Sequence, residues 1–215
     1  VHDLFVITKK YIIKMTHKSY KALILDLDNT IYPEKDYLFQ VYYLIGEFIE
    51  FQEGVPHDQV TKFLIDEFMS KGRDHIFDKM IAHFELPETY LENCFRLLRT
   101  AKLPLPLLIF EDMLIRLQEA SEAGLRLFVL TNGNPEQQLN KIKHLEWHGL
   151  DQHIKCYFCN EIAPKPAPDA MLKLLADHQL APSEVLFLGD ANIDEDCAKA
   201  AGVDFERVNF VDVIR

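Results

Sequence analysis

Ala22-Leu23-Ile24-Leu25-Asp26-Leu27-Asp28-Asn29-Thr30 joins an uninterrupted apolar run to two aspartates spaced two apart. The run reads as a strand buried on both faces, as in a parallel sheet covered on each side. In extended backbone, residues i and i+2 project to one side, so Asp26 and Asp28 can face one site just beyond the strand.

Downstream, the second half of the chain alternates apolar runs with helical patterns. Strands are expected over 125–130, 154–158 and 185–188. Helices are expected from 135 to about 145, from 168 to about 178 and over 194–201, with Gly202 as terminator. This order predicts an α/β fold with a Rossmann-like parallel sheet. Between Asp28 and the second strand the spacing turns helical. Sets such as Leu38, Val41, Tyr42, Ile45, Phe48 and Ile49 are broken at Gly54–Pro56, Gly72 and Pro87 and closed by Pro104 and Pro106. An all-helical cap domain is therefore expected over 32–105, inserted into a core domain made of 15–31 and 106–215. Met15 stands a few residues before the first strand, so 1–14 reads as an N-terminal appendage.

A formal net charge of −11 argues against non-specific nucleic acid binding but leaves a small phosphate ester open, because a local cation site outweighs the global field at short range. No apolar run reaches the roughly 20 residues of a membrane span, and no signal-peptide pattern is visible. Cys156 and Cys159 form a CxxC with no second pair to complete a zinc set, and read as packed, reduced thiols. A cytoplasmic location is expected.

Three further short motifs sit at expected strand ends: Thr131-Asn132-Gly133, Lys165-Pro166, and Gly189-Asp190 with Asp194 four residues on. In open parallel sheets, ligands bind beyond the carboxyl ends of the strands. Each motif alone is weak. In this order they resemble the haloacid dehalogenase superfamily, whose pattern is Asp-x-Asp-x-Thr/Val, then Ser/Thr-Asn, then Lys, then Gly-Asp-x-x-x-Asp. The match holds at all four motifs.

The resemblance implies a Mg²⁺-dependent phosphatase acting on a small phosphomonoester. Asp26 would be the nucleophile that becomes an aspartyl phosphate. Asp26, Asp190 and the Asp28 main-chain carbonyl would hold Mg²⁺, with Asp194 reaching it through a water or another ligand. Asp194 equally suits a helix N-terminus. Lys165 would add a second cation, and Thr131 and Asn132 would orient the phosphoryl group. Asp28 would exchange a proton with the leaving oxygen and then with water, which requires a pKa raised above that of Asp26. Dehalogenases of the superfamily lack an acid at that position, so Asp28 points to phosphoryl transfer.

The insert resembles a type I cap. Asp26-Leu27-Asp28-Asn29-Thr30-Ile31-Tyr32-Pro33 is similar to the opening of the pyrimidine 5′-nucleotidase-like branch, where Gly often stands in place of Asn29; a nucleoside 5′-monophosphate is the implied substrate. Tyr37, Tyr42 and Tyr43 could stack on a base, although the core stripe accounts for several of them. Lys71, Gly72 and Arg73 could form a loop reaching the site or a plain solvated turn. A phosphomutase of the same fold and a phosphate-binding regulator without turnover are the alternatives. No P-loop or dinucleotide fingerprint occurs.

Overall fold

The computed structural model describes residues 20–210; the appendage expected over 1–14 lies outside them. Five parallel strands form one sheet in the order β3-β2-β1-β4-β5: β1 Ala22–Leu25, β2 Arg126–Thr131, β3 Ile154–Phe158, β4 Val185–Gly189 and β5 Asp204–Arg207. The α/β fold expected from the alternation is present. β5 was not anticipated: Asp-Phe-Glu-Arg has one apolar residue and forms a partly exposed edge.

β1 is buried along its whole length because both faces are covered. Leu23 and Leu25 pack into one core with Leu127, Val129 and helix α5 (Glu111–Glu122). Ala22 and Ile24 face the opposite core with Phe128, Phe187 and helices α7 (Asp169–Asp177) and α8 (Asn192–Ala201). Gly202 ends α8 at φ 73°. Cys156 and Cys159 pack toward these two different cores, and all four cysteines are free, as the CxxC reading expected.

Between β1 and α5 the chain forms α1 (Glu34–Glu53), α2 (His57–Lys71), α3 (Ile76–His83) and α4 (Tyr90–Thr100), broken at the expected glycines and prolines. Their apolar stripes join the core on the Leu23/Leu25 face of the sheet. No helix of the described residues is long and apolar enough to cross a membrane.

The strand order reverses direction between β1 and β4. Register pairs Leu25 with Val129 on one side and Leu188 on the other, so Asp26 emerges beside Gly189 at the sheet's carboxyl end. A crevice at such a reversal is the general ligand position in open α/β sheets.

Candidate active site

Asp26 remains tied to the sheet, its N–H donating to Leu188 O at 2.9 Å. Thr131 ends β2, Asp190 follows β4, and Lys165 comes from the loop after β3. The four motifs therefore converge. Lys165 Nζ lies 2.5 Å from Asp26 Oδ1, 2.7 Å from Asp194 Oδ1 and 3.1 Å from Leu130 O. The Asn132 side chain clamps the Lys165 backbone, accepting from its N–H at 2.8 Å and donating to its carbonyl at 3.0 Å. That clamp fixes where the buried lysine starts. Burial opposes the Lys165 charge, but Asp26 and Asp194 outweigh it and hold the ammonium well above the ordinary lysine range.

Asp26, Asp190 and Asp194 each offer a carboxylate oxygen within 4.8 Å of the others. One lysine faces three acids. Burial pushes the Asp26 carboxyl up to about 7; Lys165 pulls it down while Asp194 and Asp28 add to the rise. Asp190 is likewise raised by burial and by Asp194. This excess of hard, anionic oxygen, with no imidazole or thiolate in the set, fits Mg²⁺.

Asp194 also accepts from Ala191 N–H at 3.1 Å in the first turn of α8, so its helix-terminal role stands beside its place in the cluster. Gly189 makes that placement possible: a Cβ there would lie 2.6 Å from Asp194 Oδ2 and 2.7 Å from its Cβ. Arg207 at the end of β5 grips the same loop, donating to Asp190 O at 2.6 Å, Asn192 Oδ1 at 2.8 Å and Glu195 Oε2 at 2.7 Å.

Asp28 stands in different surroundings. Its Oδ2 accepts from Lys141 Nζ at 2.6 Å and Gln138 Nε2 at 3.2 Å, and its Oδ1 from Tyr32 OH at 2.7 Å. Burial pushes its carboxyl up, but Lys141, Tyr32 and Gln138 outweigh burial and hold it below the usual aspartate value. The expected order of the two aspartates is therefore reversed in the protein free of metal and substrate. Burial raises both carboxyls, but Asp28 lies 2.6 Å from Lys141 and also accepts from Tyr32 and Gln138, whereas Asp26 shares Lys165 with a second close carboxylate, Asp194.

Gln138 also donates to Thr131 Oγ1 at 2.7 Å and Asn132 O at 2.8 Å, tying two motifs together. Neither Gln138 nor Lys141 was anticipated. The signal was present in α6 (Pro135–His144), which follows the Thr131 motif directly: Leu139 and Ile142 are its only large apolar residues, and the side chains it buries are Gln138 and Lys141, three apart on one face. Asn29 adopts φ 57°, a left-handed conformation that Gly or Asn tolerates, and its Oδ1 accepts from Glu34 N–H at 3.0 Å to start α1.

A cavity of about 430 Å³ opens beside this second group. It is lined by Asp28, Asn132, Gln138 and Lys141, by the α2–α3 loop and by apolar residues such as Phe77 and Phe95. Of the loop residues singled out in the sequence, Arg73 reaches the cavity, whereas Lys71 turns to Glu67 at 3.0 Å. Tyr37 and Tyr42 are buried, with Tyr42 also touching the cavity; Tyr43 is exposed and packs on His57.

The family model described as "Haloacid dehalogenase-like hydrolase" matches residues 23–208. An enolase-phosphatase E1 of Persephonella marina is 25% identical over 81% of this chain and 82% of its own length. One from Methylococcus capsulatus is 31% identical, over 44% of this chain and only 41% of that protein. A solved structure of a HAD-superfamily hydrolase, subfamily IA, from Geobacter sulfurreducens superposes with a TM-score of 0.59 at 23% identity, covering 86% of this chain and 85% of the other. With the family model spanning all four motifs, the chain belongs to the haloacid dehalogenase-like hydrolase family and is a hydrolase.

Proposed function

We propose that this protein is a Mg²⁺-dependent phosphatase that hydrolyses a small phosphomonoester through an aspartyl phosphate on Asp26. The observation that carries the reading is the pairing of Asp26 with Lys165 at 2.5 Å inside the Asp26, Asp190 and Asp194 group, at the sheet's carboxyl end beside a cavity. The name shared by the two curated relatives supports phosphatase chemistry.

Asp26, Asp190 and the main-chain carbonyl of Asp28 would hold Mg²⁺, and Asp194 would fix the lysine and the loop around it. When bound, Mg²⁺ withdraws negative charge from the phosphate; without such help a carboxylate approaching a phosphate meets repulsion of about 4 kcal/mol per charge pair at ~4 Å. Lys165 supplies the neighbouring positive charge, and Thr131 with the Asn132 main chain orients the phosphoryl group. Asp26 attacks phosphorus, the P–O bond to the alcohol breaks, and the alkoxide takes a proton from Asp28. Asp28 takes that proton from solvent as the substrate binds, since the arriving phosphate's negative charge opposes the effect of Lys141 and raises the carboxyl pKa. Asp28 then removes a proton from the water that cleaves the acyl phosphate, restoring Asp26 and releasing inorganic phosphate.

Residues 32–105 act in this reading as a cap domain of the type I kind over a core of 15–31 and 106–215. The free thiols of all four cysteines support the expected cytoplasmic setting. Nucleoside 5′-monophosphates, suggested by the 26–33 stretch, are one substrate class to assay; Tyr42, Phe77 and Phe95 are among the residues lining the cavity. The test is phosphate release from p-nitrophenyl phosphate with and without Mg²⁺, in the native protein and Asp26→Asn. Metal-dependent release lost in the variant is expected. A phosphomutase would instead retain its phosphate and need a bisphosphate activator, and a regulator would release none.

A further inference from the structure

The Thr131 hydroxyl and the Asn132 main chain must be held still to orient a phosphoryl group, yet they lead straight into a glycine. Gly133 sits at φ 120°, and with no Cβ its backbone rotates more freely than that of any other residue. The peptide unit between Asn132 and Gly133 therefore keeps one orientation only if outside partners hold it.

That unit is held at both ends. Its carbonyl, Asn132 O, accepts from Gln138 Nε2 at 2.8 Å and lies 3.2 Å from the Thr131 hydroxyl, which donates to it. Its N–H, that of Gly133, donates to Asn160 Oδ1 at 2.9 Å. The two clamps are of opposite polarity, a donor at the carbonyl end and an acceptor at the N–H end. Turning the peptide over would break both and would take from the Thr131 hydroxyl its acceptor.

Asn160 lies in the single helical turn Cys159–Glu161 that follows β3, outside all four motifs. It reaches to the loop after β2, while the Asn132 side chain reaches the other way and clamps the Lys165 backbone at 2.8 and 3.0 Å. Two asparagines, one from each loop, thus bind each other's main chain. Asn132, Gly133 and Gln138 line the cavity, whereas Asn160 is exposed to solvent behind the turn it holds.

We propose that Asn160 is a positioning residue for phosphoryl binding. It acts through the Asn132–Gly133 peptide and, with Gln138, fixes the Thr131 hydroxyl and the Asn132 main chain that meet the phosphate. The proposal rests on the phosphatase reading for the identity of the ligand.

The test is calorimetric titration of the native protein and its variants with inorganic phosphate in the presence of Mg²⁺. Phosphate is the product of the proposed reaction and is not turned over, so binding is read apart from catalysis. Asn160→Ala should weaken phosphate roughly fivefold, the scale of one hydrogen bond, and lower kcat/KM on p-nitrophenyl phosphate by a similar factor. Its Tm should move by no more than about 2 °C, because the side chain is exposed. Asn160→Asp keeps the acceptor but adds a charge, so its deficit relative to the native protein should shrink as salt rises from about 50 to about 500 mM, whereas that of Asn160→Ala should persist. Gln138→Ala and Asn160→Ala combined should weaken phosphate by less than the product of the two single effects, because either one already frees the shared peptide. Unchanged phosphate affinity in Asn160→Ala would overturn the proposal. So would single effects that simply multiply, with a Tm drop beyond about 2 °C, which would assign Asn160 to stability alone. Should the native protein release phosphate from no ester while Asn160→Ala still weakens phosphate binding, the phosphatase reading fails and the positioning role stands.

Discussion

Lys141 Nζ lies 2.6 Å from Asp28 Oδ2, across 113 residues of sequence, and this contact sets apart two aspartates that the sequence presents as equivalents. Asp26 faces Lys165 together with Asp194; Asp28 accepts from a lysine, a phenol and an amide. Burial pushes the first carboxyl up to about 7, whereas Lys141, Tyr32 and Gln138 hold the second below the usual aspartate value.

Lys141→Met tests that division. It removes a buried ammonium from between Asp28 and Glu34 and leaves two carboxylates without their shared cation. Breaking a buried pair from one side costs about 3 kcal/mol or more, so chemical denaturation should show a loss of that order. Turnover should fall by roughly a hundredfold, the scale of a lost proton-transfer or positioning group, and more on alkyl esters than on p-nitrophenyl phosphate, whose leaving group departs with little help. Lys141→Arg should recover part of the activity. Unchanged stability together with unchanged turnover would leave Lys141 without a role.

Gly189→Ala concerns the close approach behind the metal cluster. The added carbon would sit 2.6 Å from Asp194 Oδ2 and 2.7 Å from its Cβ, against a residue tied by the Ala191 N–H and by Lys165. Asp194 must shift, and Lys165 shifts with it. A destabilisation of about 1–3 kcal/mol is expected, with activity reduced at least roughly tenfold. The checks are a denaturation curve and kcat/KM on one generic ester.

The raised carboxyl of Asp26 gives a pH dependence with a definite sign. Its folded-state value of about 7 lies above the ordinary 3.8, so between these values the metal-free folded chain binds more protons than the unfolded one. Stability then falls as pH rises from about 4 to 7. Asp26→Asn removes this penalty, so its Tm relative to the native protein should rise through that window, by roughly 10 °C between pH 4 and pH 8 in EDTA, and the rise should shrink when Mg²⁺ neutralises the native cluster. A Tm difference that stays flat with pH would contradict the assignment.

Much of this site was legible in the sequence because its motifs are local. Asp26 and Asp190 each follow, and Thr131 ends, a strand whose apolar run marks it, and the register of a parallel sheet brings strand ends together without further information. Strand 154–158 has its expected bounds, while β2 is displaced by one residue, since Leu125 leaves the ladder and Thr131 joins it. The edge strand β5 could not be read, because its side chains are mostly polar and its pairing depends on β4 being in place. The pKa order of Asp26 and Asp28 was equally hidden: it is set by burial and by the approach of Lys141 and Asp194, which exist only in the folded chain.

Arg207, at the end of that unread strand, should matter for metal binding. Its guanidinium holds the Asp190 carbonyl, Asn192 and Glu195 at once, fixing the loop that presents the Asp190 carboxylate. Arg207→Ala should raise the Mg²⁺ concentration for half-maximal activity by roughly tenfold, as loss of an outer partner of a metal ligand typically does, with a smaller effect at saturating Mg²⁺. An unchanged Mg²⁺ requirement would show that the loop holds its shape without Arg207. Excess EDTA should abolish activity in both proteins, and Ca²⁺, which prefers more ligands than Mg²⁺, should inhibit.

The nucleophilic role of Asp26 is tested most directly by rapid-quench labelling with ³²P p-nitrophenyl phosphate in Asp28→Asn. This variant keeps the attacking carboxylate and the main-chain carbonyl of residue 28, but cannot activate water. A burst of p-nitrophenol close to one equivalent per active site is expected, with matching acid-stable label on the protein. Peptide mapping should place that label on Asp26, and Asp26→Asn should show neither burst nor label. Phosphate released as fast as p-nitrophenol, with no label on the native protein or on Asp28→Asn at any quench time, would contradict covalent catalysis by Asp26.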